Sequence, residues 1–206
     1  LVTGSTGAIG ARLVPMLLED EDVQVRLLIR ADSTDHLDAR FTELARFWEI
    51  PLPHERVKAF RGDVTLPKLG LAVEDYAELV GDCTHVIHSA GSVRMNRPLD
   101  EARRTAVGGA KNIAHFAEEC LGRGNLKKLE FISSVGVGGR MKGAISETWI
   151  TEKRSFHNTY EQAKAEAEEF ICTKMAQGLP VTVHRPSMVV GDSRTGKIVH
   201  FQVFYY

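Results

Sequence analysis

Cysteine is scarce in this chain: Cys83, Cys120 and Cys172 are the only three in 206 residues, and they lack C-x-x-C spacing. An odd, scattered set argues against a disulfide scaffold and for a reducing compartment, so a cytoplasmic location is expected. An excess of charge is lacking too. The 26 Lys and Arg are matched by 27 Asp and Glu, leaving a net charge of −1. That removes the electrostatic case for nucleic acid or an anionic membrane as the main partner. No apolar run is long and charge-free enough to span a bilayer, and no signal peptide is read ahead of the first strand. Internal repeats and low-complexity tracts are missing as well. The composition is otherwise ordinary for a globular protein, 43% hydrophobic and 26% charged. The length suits one domain with a sizeable core, or one domain and part of another.

What the chain does have is glycine at its start. The first ten residues read L-V-T-G-S-T-G-A-I-G. Leu1-Val2 reads as the end of a buried strand, and an apolar helical pattern (Ile9, Leu13, Met16, Leu17) opens at once. Strand, glycine turn and helix in that order form a phosphate cradle, here Gly4, Ser5, Thr6, Gly7, Ala8, Ile9 and Gly10. Gly4 permits a sharp turn, Gly7 lets a pyrophosphate approach the backbone, and Gly10 lets the helix pack close to the sheet. The helix N-terminus offers free N–H groups and positive dipole. The same residues would also make an ordinary glycine-rich turn. The spacing is G-x-x-G-x-x-G rather than the G-x-G-x-x-G fingerprint, so support must come from further along the chain.

That support is an alternation of strand and helix. Helices are expected over residues 8–19 (with Pro15 bending the first), 34–49, 73–80, 99–120 and 158–175, and strands over 23–29, 56–61, 84–89, 128–133 and 181–184. Strands separated by helices of this length pair in parallel, which predicts an α/β fold. It is a Rossmann-type doubly wound parallel sheet in three α/β/α layers. The expected domain covers residues 1–197. Residues 198–206 are apolar and aromatic without a stop signal. Both ends read as cut, so a C-terminal substrate region is expected to begin there and to be mostly absent.

Ligands in such sheets bind beyond the carboxyl ends of the strands. After strand two stands Arg30, whose planar fork suits a phosphate and favours NADP over NAD, though Asp32 nearby keeps NAD open and a solvated Arg is the plain alternative. After strand three, Asp63-Val64 either meets the adenine or caps the next turn. After strand four, Ser89-Ala90-Gly91 lets backbone lie against cofactor, or simply packs tightly. After strand five come Ser133 and Ser134, facing the same crevice. Tyr160 and Lys164 lie four apart, on one helix face. An ammonium there would lower the phenol's pKa and make it a usable proton donor and acceptor, unless the pair is only surface charge.

In this order, T-G-x-x-G-x-x-G, G-D, a strand-end serine and Y-x-x-x-K resemble the extended short-chain dehydrogenase/reductases. Within them the chain is most similar to the thioester reductase and fatty acyl-CoA reductase branch, the male sterility type of NAD-binding domain. Four stretches carry this: G-D-V-T-L-P-K-L-G-L from Gly62, V-I-H-S-A-G-S-V-R-M from Val86, N-T-Y-E-Q-A-K from Asn158 and H-R-P-S-M-V-V-G-D-S-R-T-G from His184. The resemblance runs nearly end to end. It implies that Ser134 polarises a carbonyl, Tyr160 transfers the proton, and Lys164 tunes Tyr160 and holds the nicotinamide ribose. It also brings Pro186, Ser187 and Met188 into the cofactor site. Ser134 is preferred to Ser133 because S-V-G-V-G-G matches the small-residue tail of the family's serine. Departures exist: Ala106 stands where Asn is frequent, Val135 follows the serine pair, and Ala163 stands where Ser is usual.

Cys83, His85 and His88 crowd strand four, but His85 and His88 face opposite sides of a strand and make a poor metal site, so no metal is expected. The acid-rich helix 161–169 reads as a solvated face. The expected activity is NADP(H)-dependent reduction of a carbonyl, foremost an acyl thioester, to aldehyde or alcohol. A nucleotide-sugar epimerase or dehydratase, a secondary-alcohol dehydrogenase and a non-catalytic dinucleotide sensor are the alternatives.

Overall fold

The computed structural model describes residues 1–199. Its strands are β1 (Val2–Thr3), β2 (Val25–Ile29), β3 (Val57–Arg61), β4 (His85–His88), β5 (Lys128–Ile132) and β6 (Val181–His184). All pair in parallel in the order β3-β2-β1-β4-β5-β6. This is the expected doubly wound sheet. Its strand order reverses between β1 and β4, where Thr3 lies in register with His88. That reversal opens the crevice in which such folds bind ligands.

The period of two in the strands makes the layers. Val25, Leu27 and Ile29 of β2 pack with Val14 of α1 (Ala8–Leu17) and with Leu37, Leu44 and Trp48 of α2 (Thr34–Trp48). Leu28, one residue out of phase, packs on the opposite side. There it belongs to the same core as Leu79 of α3 (Val73–Asp82), Phe116 of α5 (Gly109–Gly122) and Ile171 of α6 (Thr159–Ala176). Burying such side chains stabilises each layer by roughly 1.5–3 kcal/mol apiece. The α1–α2 layer stops short of β6: Ile9, Leu13, Ile87, Ile132 and Val183 border a groove of about 1020 Å³.

Local chemistry starts and stops the helices. Ser33 Oγ accepts from His36 N–H at 3.1 Å to open α2, and Glu49, at φ 59° in the left-handed region, closes it. Asn158 Oδ1 accepts from Glu161 N–H at 2.9 Å to open α6. The helix expected over 99–120 is not regular. It runs as α4 (Leu99–Arg103), a π-helical stretch (Arg104–Gly108) and then α5. Thr105 Oγ1 donates to the Glu101 carbonyl at 3.3 Å, and two glycines follow, both of which weaken the α ladder.

Val199 packs at the edge of the α1–α2 layer. The remainder of the expected C-terminal region, residues 200–206, lies outside the described residues. Among the described residues no helix is long and apolar enough to cross a membrane.

Candidate active site

The glycine turn sits at the reversal of strand order. Gly4 adopts φ +74°, and a Cβ there would lie 2.6 Å from Ala90 N, so this residue lets the β1 and β4 ends touch. Gly7 N–H donates to the Gly4 carbonyl at 2.9 Å. A Cβ on Gly10 would lie 2.3 Å from the Gly4 carbonyl oxygen, so the close approach it permits is to the turn itself rather than to the sheet. Two features of this turn suit an anion. Helix α1 has no side-chain cap and no acid in its first turn, which leaves N–H groups and positive dipole open. Ser5 is 1% exposed and its Oγ has no partner, a buried hydroxyl left for a ligand to satisfy.

Arg30 is exposed beyond β2. Arg40 of α2, not singled out from sequence, reaches back to it. Its Nη1 donates to the Arg30 carbonyl and its Nη2 to Thr6 Oγ1 at 3.3 Å. Asp32 lies beside His36 at 3.4 Å, and Arg61 donates to the Asp32 carbonyl at 3.3 Å. Cations therefore gather where the chain leaves β2 and β3.

Several of the sequence-predicted residues have local partners. Asp63 Oδ1 accepts from both Thr65 N–H and Thr65 Oγ1 at 2.8 Å, so this carboxylate caps its own turn. Val64 is 8% exposed in the core and its carbonyl accepts from Asn112 at 2.8 Å. Ser89 Oγ donates back to the Thr3 carbonyl at 2.9 Å, and Ala90 N–H donates to Thr3 Oγ1 at 3.3 Å. The Ser89-Ala90 step is thus also part of the β1–β4 seam. Beyond β6, the Pro186 carbonyl accepts from Val135 N–H at 3.1 Å, while Ser187 and Met188 are exposed. Asp192 Oδ1 caps the D-S-R-T turn and Oδ2 pairs with Arg12 of α1 at 2.8 Å.

The two serines after β5 part company. Ser133 is buried and its Oγ donates to Glu168 at 2.5 Å. Ser134 stays half-buried, its Oγ accepting from Gly136 N–H at 3.1 Å and close enough to interact with the Tyr160 phenol. Tyr160, Lys164, Ala90 and Gly91 line one cleft with His88, Phe131, Arg97 and Ala106. Lys164 Nζ, buried, donates to the Ile132 carbonyl at 2.7 Å and lies 5.1 Å from the Phe131 ring centre. Burial pulls its pKa down to about 8, against the opposing charge of Glu168. His88 stacks on Phe131 and meets Thr3 Oγ1 at 2.9 Å; burial, and then Lys164, depress it to about 3, so it is neutral.

The expected lowering of Tyr160's pKa is corrected by the structure. Burial raises it, Ser134 pulls against that rise and Glu161 adds to it. The lysine's proton-bearing end is turned to the Ile132 carbonyl, and desolvation of the phenolate outweighs any help from it. The solvated-face reading of 161–169 also fails. Glu168 is 2% exposed and paired with Arg185 at 2.6 Å, and Glu166 is held by Arg103 at 2.7 Å. Sequence spacing held a clue to Glu168, which follows Lys164 by one helical turn. Nothing local marked Arg40. Among the described residues no group of three or more His, Cys, Asp or Glu side chains is placed to hold a metal ion.

A parallel doubly wound sheet, a glycine turn at its reversal and a tyrosine–lysine pair beside a strand-end serine define an extended short-chain dehydrogenase/reductase fold that binds a nicotinamide dinucleotide. The chain belongs to the male sterility protein family of NAD-binding domains, whose profile matches residues 2–206. It is 28% identical over 203 residues to an isonitrile lipopeptide synthase of Streptomyces coeruleorubidus, covering 96% of this chain and 14% of that protein. It is 28% identical over 226 residues to the fatty acyl-CoA reductase wat of Drosophila melanogaster, covering 94% of this chain and 43% of that one. Among solved structures, the terminal R domain of the myxalamid PKS-NRPS biosynthetic pathway superposes with a TM-score of 0.81 at 28% identity. That match covers 96% of this chain and 51% of the other. The chain therefore spans about half, or much less, of the relatives it matches.

Proposed function

We propose that this chain is the NADP(H)-binding part of a reductase that converts an acyl thioester, carried on CoA or on a carrier protein, to an aldehyde. The observation that carries the reading is a cleft at the ends of β4 and β5 lined by Tyr160 and Lys164, with Ser134 within reach of the Tyr160 phenol. The named relatives, a fatty acyl-CoA reductase among them, support the thioester. The orphaned Ser5 hydroxyl and uncapped α1 support a pyrophosphate at the glycine turn. Arg40, held beside Thr6 of the glycine turn, and the exposed Arg30 support a 2′-phosphate there, since a planar guanidinium matches a phosphate's geometry.

The bound nicotinamide supplies the hydride. The protein's part is electrostatic and acid–base. Ser134 and Tyr160 hydroxyls donate to the carbonyl oxygen as negative charge develops there. Tyr160 then gives its proton to that oxygen, and collapse of the hemithioacetal releases aldehyde and thiol. The raised pKa suits this direction, because it keeps the phenol protonated until it is needed. Lys164 spends one N–H on Ile132 and keeps two donors for the ribose hydroxyls.

The test is Tyr160→Phe in the full-length protein, assayed with NADPH and an acyl-CoA. Turnover is expected to fall by ~10²–10⁴ with NADPH binding preserved. Turnover within a few-fold of wild type sinks the assignment.

A further inference from the structure

Glu168 sits at the centre of a buried network that the proposed chemistry does not use. Three segments converge on its carboxylate. Ser133 Oγ, at the end of β5, donates to Oε2 at 2.5 Å. Arg185, just beyond β6, donates from Nε to both oxygens at 3.1 and 3.2 Å and from Nη2 to Oε1 at 2.6 Å. The same guanidinium donates to the Ser146 and Thr148 carbonyls at 3.1 and 2.8 Å, which ties the 146–148 loop to the same point. Glu168 also follows Lys164 by one turn of α6, on the same side of the helix.

From this geometry we infer that Glu168 is a positioning residue: its buried carboxylate keeps Lys164 in its charged form and anchors the strand end that presents Ser134. The inference rests on the reductase reading for its catalytic meaning, but not for its electrostatics. An isolated ammonium is costly in an apolar site, and an opposite charge nearby is the usual remedy. The other groups facing Lys164 do not supply one. From β5 it meets a carbonyl, Ile132, and a ring, Phe131; from β4 the neutral His88. Tyr160, Arg94 and Arg97 share its cleft, and none of these carries negative charge near neutrality. Glu166, two residues on, lies off the Lys164 face of α6 and is turned to Arg103 and Gln162. Among the described residues Glu168 is the remaining carboxylate acting on Lys164, which it does against the pull of burial. Two structural ties to Ser133 and Arg185 hold it ready without a long mobile side chain.

The experiment follows Lys164 directly in the full-length protein, by the titration of its 13C-labelled ε carbon. Glu168→Gln is expected to move the Lys164 midpoint down by roughly one unit from its wild-type value, and Glu168→Asp to restore most of it. The alkaline limb of the kcat profile with NADPH and an acyl-CoA should move down in parallel, while KM for the thioester changes little. If Glu168→Gln alone fails to fold, the Glu168→Gln/Arg185→Gln variant is compared with Arg185→Gln: neither carries the guanidinium, so the lower Lys164 midpoint expected in the former reports the loss of the Glu168 charge alone. A Lys164 midpoint that does not move in the folded variant overturns the inference. A wild-type protein without reductase activity overturns the proposed function instead, and leaves the titration to decide on Glu168.

Discussion

Trp48 completes the helix that Pro15 interrupts. Pro15 has no N–H, so the carbonyl of Ala11 loses its partner within α1, and Trp48 Nε1 of α2 donates to that carbonyl at 2.7 Å. Both partners are buried, so the bond is made in a place water cannot replace it. The two helices are thereby joined by a hydrogen bond that exists only because one of them is broken.

A double-mutant cycle measures this. Trp48→Phe leaves the Ala11 carbonyl unsatisfied and should cost about 1–3 kcal/mol beyond lost packing. In a Pro15→Ala background the helix supplies its own N–H, and the same change should cost less by about that amount. Urea denaturation of the four proteins gives the coupling; additive costs would show that the indole is only packing.

The glycine turn separates fold from ligand binding. Gly4→Ala and Gly10→Ala drive a Cβ to within 2.6 and 2.3 Å of fixed backbone, and Gly4 also has positive φ. Each is expected to destabilise by roughly 1–3 kcal/mol, seen as a lower Tm. At Gly7 the nearest atom, the Gly4 carbonyl oxygen, is at 3.3 Å, a tight contact that a shift of a few tenths of an ångström relieves, so Gly7→Ala should cost less stability than the other two yet bind NADPH more weakly. Calorimetric melting and titration calorimetry on the three variants distinguish the outcomes.

His88 makes the fold acid-sensitive. Its folded pKa of about 3 lies below the ordinary 6.5, so the unfolded chain binds the extra proton. Its contribution is complete above pH 6.5 and is lost as the pH falls from there towards 3. Between pH 7 and pH 5 the loss should be about 2 kcal/mol. The Glu166 and Asp192 carboxylates, held below the ordinary carboxylate range by Arg103 and by the hydrogen bonds of the 192–195 turn, titrate beneath that interval. Urea midpoints at the two pH values should converge in a folded His88→Gln protein, and equal slopes in both proteins would refute the assignment.

Cofactor choice should reside in Arg40 as much as in Arg30. Arg40 bridges Thr6 of the glycine turn and the Arg30 carbonyl. Arg40→Ala is therefore expected to lower the preference for NADPH over NADH by ~10-fold or more, the scale of one charge-assisted hydrogen bond. Ratios of Kd for the two cofactors, before and after substitution, check it.

How much was legible beforehand follows from the range of the forces concerned. The glycine turn, the caps at Ser33 and Asn158 and the strand–helix alternation are local: each depends on φ, on a side chain three residues away or on a repeat of two or 3.6 residues. The π-helical stretch at Arg104–Gly108 was missed because a Thr and two Gly only weaken a ladder, and packing against α6 selects the alternative.

Order of elements and parallel pairing were written in the residues themselves, since periodicity and glycine conformational freedom need no knowledge of distant neighbours; the family was legible only as a resemblance of motifs. The roles of the charged and titrating groups were not. Ser133 and Ser134 are adjacent and chemically identical; a motif resemblance prefers the second, but the physical difference, burial of the first against Glu168, exists only in the fold. The phenol of Tyr160 goes up rather than down, and the carboxylate of Glu168 turns inward, because desolvation depends on everything that folds around a group. No stretch of chain carries that information alone; it comes into being when six strands and their helices close on one another.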